Sequence, residues 1–267
     1  MLRVGFLILL MRKLFAWLSA IIIIISCSEN GQPLNHSAIP PLPDSLINER
    51  WKEINIVIDS IREGDLVLRC GDDFTSESLR DFSQNEKIFS HSGVALNLNG
   101  KLYIFSNMAG DLNPDEVMRH DDVDSFLSPV NNVAAGVYRY DFSNEELDKL
   151  RGIVIAHYNN KLQFDMNFDL STDNKMYCAE MIAKSVEQAT NKRILIPKSL
   201  VNDDLRQKYI KMALDKKVIP SVKSADQREY WAIDNLYLNN HCREVIKVIF
   251  AEPKAPVKFP VAENYEH

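Results

Sequence analysis

Three short segments contain residue types that can do chemistry together. They read Gly64-Asp65-Leu66-Val67, Ser90-His91-Ser92-Gly93-Val94 and Tyr177-Cys178-Ala179-Glu180-Met181. Cys178 falls at the expected N-terminus of a helix, where unpaired amide groups and the helix dipole favour a thiolate. His91 begins an expected strand, a rigid position from which an imidazole can take the thiol proton. These two residues therefore predict a cysteine nucleophile with a histidine base.

A third polar residue would orient the imidazole, and the predicted hairpin narrows the choice. If Asn99-Gly100 are the two turn residues, His91 lies opposite Met108 and shares a face of the hairpin with Ser106. A register that differs by one residue brings Asn107 to this face instead, and an asparagine is chemically the better orienter. The sequence leaves Ser106 and Asn107 both open.

Four further residues are candidates for the substrate and oxyanion region: Tyr177, Glu180, Asp65 and Phe164. The backbone amide of Cys178 would help to bind the oxyanion. Simpler roles compete for each side chain. Glu180 on a first helical turn complements the helix dipole, Asp65 can fix a turn, and core packing accounts equally well for the two aromatic residues.

The elements that must position these residues are predicted from periodicity, turns and caps. Helices are expected from Asp44 until Gly64, over 143–158 with a capping box at its start, and over 177–189. Strands are expected at 65–69, 90–97, 101–107, 133–140 and 244–251. The polar segment 199–240 has a mostly helical character. This mixture indicates an α+β protein.

The order GDLVL, SHSGVAL and then YCAEMIAKS, about ninety residues further on, resembles the circularly permuted papain-like amidases of the NlpC-type superfamily, the YiiX-like group. The resemblance covers roughly residues 64–188. It implies an antiparallel sheet packed against helices, with the histidine strand before the cysteine helix. It also implies that Cys178 is the nucleophile and His91 the base of a cysteine hydrolase that works without a cofactor. Where relatives often have histidine or glutamate as the third polar residue, this chain reads Tyr103-Ile-Phe-Ser-Asn107.

The resemblance implies attack of the thiolate on an amide or ester, through a thioester intermediate. Expected substrates are small-molecule, peptide or lipid-linked acyl compounds, including cell-wall peptide amides and fatty acyl chains. Two alternatives remain open. An acyltransferase would use the same intermediate with an acceptor other than water, and a non-catalytic lipoprotein would keep the fold as a binding module.

The N-terminus is typical of a lipoprotein signal peptide. Residues 14–25 form an apolar run that follows Arg12-Lys13 and precedes Ser26-Cys27. The run is too short for an ordinary transmembrane anchor, the competing interpretation, because a spanning helix needs about 20 apolar residues. The quartet Ile24-Ile25-Ser26-Cys27 resembles a lipobox, so Cys27 is the expected lipidation site. Met11 is the expected initiator, rather than Met1.

These features predict three parts: a signal peptide at 1–27, a proline-rich tether at 28–43 and one hydrolase domain at 44–267. The expected location is the periplasmic or outer-membrane face of a bacterial membrane, held by the lipid anchor. Without the leader, 28 Lys and Arg face 37 Asp and Glu, so the charge is −9. Nucleic acid is therefore not an expected partner.

Three cysteines remain after the leader, and none has CxxC spacing, so no structural metal site is expected. An odd number leaves at least one thiol unpaired within the chain. Cys70 and Cys242 could form a disulfide, which the sequence does not decide.

Overall fold

The computed structural model describes residues 42–108, 116–201 and 228–251. All of them belong to one compact unit. The expectations for the signal peptide, for Cys27, for nearly all of the tether and for residues 202–227 lie outside the described residues. Within the described ranges, no helix is long and apolar enough to cross a membrane.

Helices and strands are mixed along the described part of the chain. Their order and bounds are α1 (Asp44–Ser60), β1 (Leu66–Gly71), α2 (Phe74–Arg80), β2 (His91–Leu98), β3 (Lys101–Ser106), β4 (Arg119–Asp122), α3 (Val123–Phe126), β5 (Asn132–Tyr140), α4 (Asn144–Asn159), α5 (Cys178–Ala189), β6 (Ser199–Leu200), β7 (Glu229–Tyr230), α6 (Ile233–Tyr237) and β8 (Cys242–Ile249).

One antiparallel sheet organises the molecule, in the strand order β4-β3-β2-β1-β5-β8. Helices α4, α5 and α6 pack on one face, here called the α5 face, which includes Leu68 and Val94. Helix α1 packs on the opposite face, here called the α1 face, which includes Val67 and Ala95. The two sets alternate because successive side chains of a strand point to opposite faces. The predicted α+β architecture is confirmed.

The hairpin of β2 and β3 has the predicted register. Asn99 and Gly100 both have positive φ values, 53° and 82°, as a two-residue type I′ turn requires. Val94 pairs with Phe105, and the same register continued to the end of β2 puts His91 opposite the position of Met108. The turn residues therefore predicted correctly which side chains of the hairpin share a face of the sheet.

The predicted capping box at the start of α4 is also confirmed. The Ser143 hydroxyl accepts a hydrogen bond from the Glu146 amide at 3.2 Å, and the Glu146 carboxylate accepts one from the Ser143 amide at 2.8 Å. Arg193, after α5, forms an ion pair with Glu146 at 2.7 Å. The cap thus also ties α4 to the end of α5.

Several expectations differ from the structure. Helix α1 ends at Ser60 rather than at Gly64, because Ile61 is already extended. Helix α2, strand β4 and helix α3 lack a clear apolar period and were not predicted. The described ends of segment 199–240 form the β6–β7 pair and one short helix, so its mostly helical interpretation is wrong there.

The three cysteines of the described chain are free thiols. Cys70 pairs with Ala134 at one end of β5, whereas Cys242 pairs with Tyr140 at the other end. A strand therefore separates them along its length, and a disulfide between Cys70 and Cys242 is excluded in this fold.

Two glycines with positive φ allow a matched test of the turns. Gly64 has φ +87°, and a Cβ there would lie 2.6 Å from Leu147 Cδ1, whereas Gly100 has φ +82° and open space around it. We expect Gly100→Ala to lower the free energy of unfolding by about 1–2 kcal/mol through backbone strain alone. Gly64→Ala should lose about 1–3 kcal/mol more, because overpacking is added. Urea denaturation measures both, and equal losses would contradict the packing described at Gly64.

Candidate active site

Cys178 is the first residue of α5 and its side chain is directed at the sheet. The residue is only 8% exposed. The hydroxyl and amide of Ser92, together with the amides of Cys178 and Ala179, approach the sulfur and favour a thiolate. Burial is the larger effect and raises the pKa of the Cys178 thiol above its usual value of about 9. The resting sulfur is therefore a protonated thiol, surrounded by donors that would stabilise negative charge.

Tyr177 and Glu180 hold the start of α5 in place. The Tyr177 hydroxyl accepts a hydrogen bond from the Trp231 amide at 2.7 Å. The Glu180 carboxylate accepts one from the Tyr177 amide at 3.4 Å and forms an ion pair with Lys184 at 2.9 Å. Burial raises the pKa of Glu180 to about 7, although Lys184 acts in the opposite direction. Both residues have structural partners that account for them beside the thiol.

His91 is the first residue of β2 and pairs with Arg69 of β1. Its Nδ1 lies 2.6 Å from the Ser90 hydroxyl. Burial, with Arg69 and Arg119 nearby, lowers the pKa of the imidazole to about 3, and Asp73 acts in the opposite direction. The ring is therefore neutral at physiological pH, which is the protonation state that a general base requires.

The structure brings Cys178 and His91 to the same end of β2 but from opposite faces of the sheet. The sulfur lies beside Ser92 on the α5 face, whereas His91 shares the other face with Arg69. Across the described ranges, no hydrogen bond joins the Cys178 thiol to the His91 ring. The Cys178–His91 pair stays a prediction. It is supported by the position of the sulfur beside Ser92, which is the residue that follows His91 in β2.

The two alternatives for the third residue have different positions. Ser106 is fully buried on the His91 face, beside Gly93, and its hydroxyl has no described hydrogen-bond partner. Asn107 is fully buried on the other face, where its amide nitrogen donates to the Met176 carbonyl at 2.6 Å. Of the two residues, only Ser106 shares the face of His91, whereas Asn107 anchors the loop that leads to Cys178.

Of the two remaining candidates, Phe164 and Asp65, only Phe164 belongs to a group of residues that extends toward the thiol. Phe164 packs edge-on against Phe168, whose ring lies 4.7 Å from that of Tyr177, so this aromatic group extends to the start of α5. Asp65 lies before β1, at the end away from His91, and its carboxylate binds Arg139 at 2.6 Å. The assignment of Asp65 to the substrate region is therefore corrected to a structural ion pair.

Ser92 is the residue near the thiol that sequence reasoning missed. Its hydroxyl is fully buried and approaches the Cys178 sulfur, and no other hydrogen-bond partner is described for it. The signal was present in the sequence. Because side chains alternate along a strand, the residue after His91 faces the opposite way, and Val94 and Leu96 continue that face into the core beneath α5.

Residues 60–232 match the sequence pattern of a family described as permuted papain-like amidase enzymes, YaeF/YiiX, C92 family. The chain belongs to this family. It is thus a cysteine-dependent hydrolase of the amidase/peptidase type, with the papain-like fold in permuted order. The expected family and fold class are both confirmed.

One similar solved structure is that of the metalloprotein yiiX from Escherichia coli O157:H7. It has a TM-score of 0.56 and 15% identity, over 71% of this chain and 99% of that chain. This likeness concerns the fold alone. In the described part of this chain, no three histidine, cysteine, aspartate or glutamate side chains come together as metal ligands. No curated protein matches the sequence.

The thiol environment predicts how fast Cys178 reacts with iodoacetamide. Because burial raises the thiol pKa above 9, the thiolate fraction and the alkylation rate should rise about tenfold per pH unit between pH 6 and 8. Ser92→Ala should slow alkylation several-fold at every pH, since it removes a donor to the thiolate. It should change the free energy of unfolding by less than about 1 kcal/mol, because in the resting state the Ser92 hydroxyl faces a neutral thiol, which is a weak acceptor.

The measurement uses a Cys70→Ser, Cys242→Ser background, in which Cys178 is the one thiol of the described chain, with Cys178→Ser as the blank. Ser185→Ala is the matched control, because Ser185 lies on the same helix as Cys178 and is as deeply buried as Ser92. A rate that is constant from pH 5 to 8 would indicate a thiolate–imidazolium pair and would contradict the neutral resting state.

Proposed function

We propose that this protein is an exported, membrane-anchored cysteine hydrolase that cleaves an amide or ester bond of a small-molecule, peptide or lipid-linked acyl substrate. Cys178 is the nucleophile and His91 the base, and lipid on Cys27 holds the enzyme at a bacterial membrane. The observation that carries the proposal is the set of hydrogen-bond donors around the Cys178 sulfur at the start of α5. One of these donors is Ser92, the residue that follows His91 in β2.

The proposed reaction has two steps. The sulfur attacks the acyl carbon, and the oxyanion that forms accepts hydrogen bonds from backbone amides at the start of α5. The carbon–nitrogen or carbon–oxygen bond then breaks and leaves a thioester on Cys178. The thiol proton passes to His91 and from there to the leaving group. Water next attacks the thioester, and His91 takes a proton from the water and returns it to the sulfur. The carbon–sulfur bond breaks, the acyl group leaves as a carboxylic acid, and the thiol is regenerated.

His91 must reach the α5 face for this chemistry. It is the first residue of β2, so its ring lies at the end of the strand rather than in the middle of it. A rotation of the side chain that releases the Ser90 hydroxyl would carry the ring around this end toward the sulfur. Ser106, on the face from which the ring departs, would then stabilise the resting position rather than the catalytic one.

Acylation of Cys178 tests the proposed nucleophile and base directly. With fluorogenic acyl esters and amides, rapid acid quenching and mass spectrometry should find the acyl group on Cys178. We expect His91→Gln to reduce the acylation rate by about 10²- to 10⁴-fold, the usual contribution of a general base.

His157→Gln is the matched control, because His157 is a partly buried histidine of helix α4, away from β2. Equal rates for His91→Gln and His157→Gln would remove His91 from the mechanism. If the thioester forms but only an added amine or alcohol releases it, the protein is an acyltransferase instead.

Lipidation of Cys27 is a separate prediction. The full chain expressed in a bacterium should incorporate radiolabelled palmitate and enter the membrane fraction, because several acyl chains on one residue hold a protein durably. Cys27→Ala should abolish the incorporation of label. The Cys70→Ser variant should incorporate label like the parent chain. Label retained in Cys27→Ala would contradict the proposed anchor.

A further inference from the structure

Arg69 is a partly exposed arginine whose described partners are all neutral. Its Nη1 donates to Asn132 Oδ1 at 2.9 Å, and its Nη2 donates to Met108 Sδ at 3.4 Å. The guanidinium lies 5.1 Å from the centre of the Phe126 ring, and its Nε is buried with no partner. Several of the N–H groups of this side chain therefore remain open to another acceptor.

The carboxylates near Arg69 are bound to other groups. Asp73 caps α2 and accepts hydrogen bonds from the Ser76 amide and hydroxyl, at 2.9 and 2.7 Å. Asp121 forms an ion pair with Arg119 at 3.2 Å. In the described structure, no carboxylate pairs with Arg69, and burial lowers the pKa of its guanidinium. A charge kept partly buried beside neutral partners is costly, so a fold gains from an anion that binds there.

Other open donors lie on the same face of the sheet. His91 is the register partner of Arg69, and Met108, which contacts Arg69, lies opposite His91 when the hairpin register is continued. The fully buried hydroxyl of Ser106, two residues before Met108, has no described partner. Arg69 and Ser106 are here called the Arg69 cluster, and His91, the proposed base, lies on the strand between them. The cluster combines one positive charge, which has no carboxylate partner in the described structure, with a neutral hydroxyl that can donate a hydrogen bond.

We propose that the Arg69 cluster binds a carboxylate group of the substrate, so that the enzyme acts on acyl compounds bearing a free carboxylate. This inference rests on the proposed function and specifies its substrate class. A carboxylate fits better than a phosphate because the cluster offers a single guanidinium, and Arg119 already has a carboxylate partner. The guanidinium fork binds a carboxylate with two parallel hydrogen bonds. Peptides and N-acyl amino acids belong to this class.

Binding to an inactive variant tests this proposal without catalysis. Isothermal titration of the full chain carrying Cys178→Ala, in detergent, would compare N-acetyl-L-alanine, N-acetyl-L-alaninamide and inorganic phosphate. We expect the carboxylate to bind at least tenfold more tightly than the carboxamide. Arg69→Met should bring carboxylate affinity down to the carboxamide level, and Arg69→Lys should give an intermediate affinity because it keeps the charge without the fork.

Arg243→Met, at an exposed arginine of β8, is the matched control and should leave both affinities unchanged. Arg69→Lys also serves as a second variant if Arg69→Met unfolds at lower urea concentrations. Equal affinities for the acid and the amide, or an equal loss in Arg243→Met, would overturn the proposal. Tighter binding of phosphate that depends on Arg69 would also overturn the carboxylate assignment.

The outcomes separate this proposal from the proposed function. Carboxylate binding that depends on Arg69, in a protein whose Cys178 is never acylated, would refute the hydrolase mechanism alone. Acylation at equal rates for substrates with a carboxylate and with a carboxamide would refute the carboxylate site and leave the mechanism intact.

Discussion

The alternation of side chains along β2 determines which residue of this strand the Cys178 sulfur can contact. Helix α5 packs on one face of the sheet, so the sulfur at its first residue faces Ser92, and His91 projects toward Arg69 on the opposite face. The helix cannot shift freely to change this. The Tyr177 hydroxyl is bound by the Trp231 amide, and Asn107 binds the loop that precedes the helix. In the proposed mechanism, the catalytic pair therefore forms only when the His91 ring moves around the end of β2 to the α5 face.

Burial sets the charge state of the same two groups. It raises the pKa of the Cys178 thiol and lowers that of the His91 imidazole to about 3, so the resting site holds two neutral groups rather than an ion pair. Donors at the start of α5 are already directed at the sulfur. In a poorly hydrated site they interact strongly with charge that forms during the reaction. The arrangement is thus better suited to a transition state than to a stable thiolate.

Local signals in the sequence predicted much of the fold. Asn99-Gly100 specified both the turn and the register, and the Ser143–Glu146 capping box specified the start of α4. The register also put Ser106 on the face of His91. The order of the three motifs along the chain, rather than any geometric argument, indicated the family. Contacts between distant residues were not predictable in this way. Asp65 binds Arg139, 74 residues further along, and this ion pair removed it from the candidate site.

For the candidate site, the sequence predicted the elements in which the residues lie but not the orientation of their side chains. Cys178 does begin a helix and His91 does begin a strand, as their local patterns indicated. Which face of the sheet α5 covers depends on the whole topology, and so does the identity of Ser92 as the neighbour of the thiol. The neutral partners of Arg69 likewise come from three separate parts of the chain, around residues 108, 126 and 132.

A crystal structure of the acyl-enzyme, trapped on Cys178 with a slowly hydrolysed ester, tests the central claim most directly. The quantity to measure is the distance from the Cys178 sulfur to the nearer ring nitrogen of His91. The account predicts that the imidazole leaves the Ser90 hydroxyl and lies within about 4 Å of the sulfur, close to hydrogen-bond range. An acylated sulfur with the His91 ring still bound to Ser90 on the α1 face would contradict it.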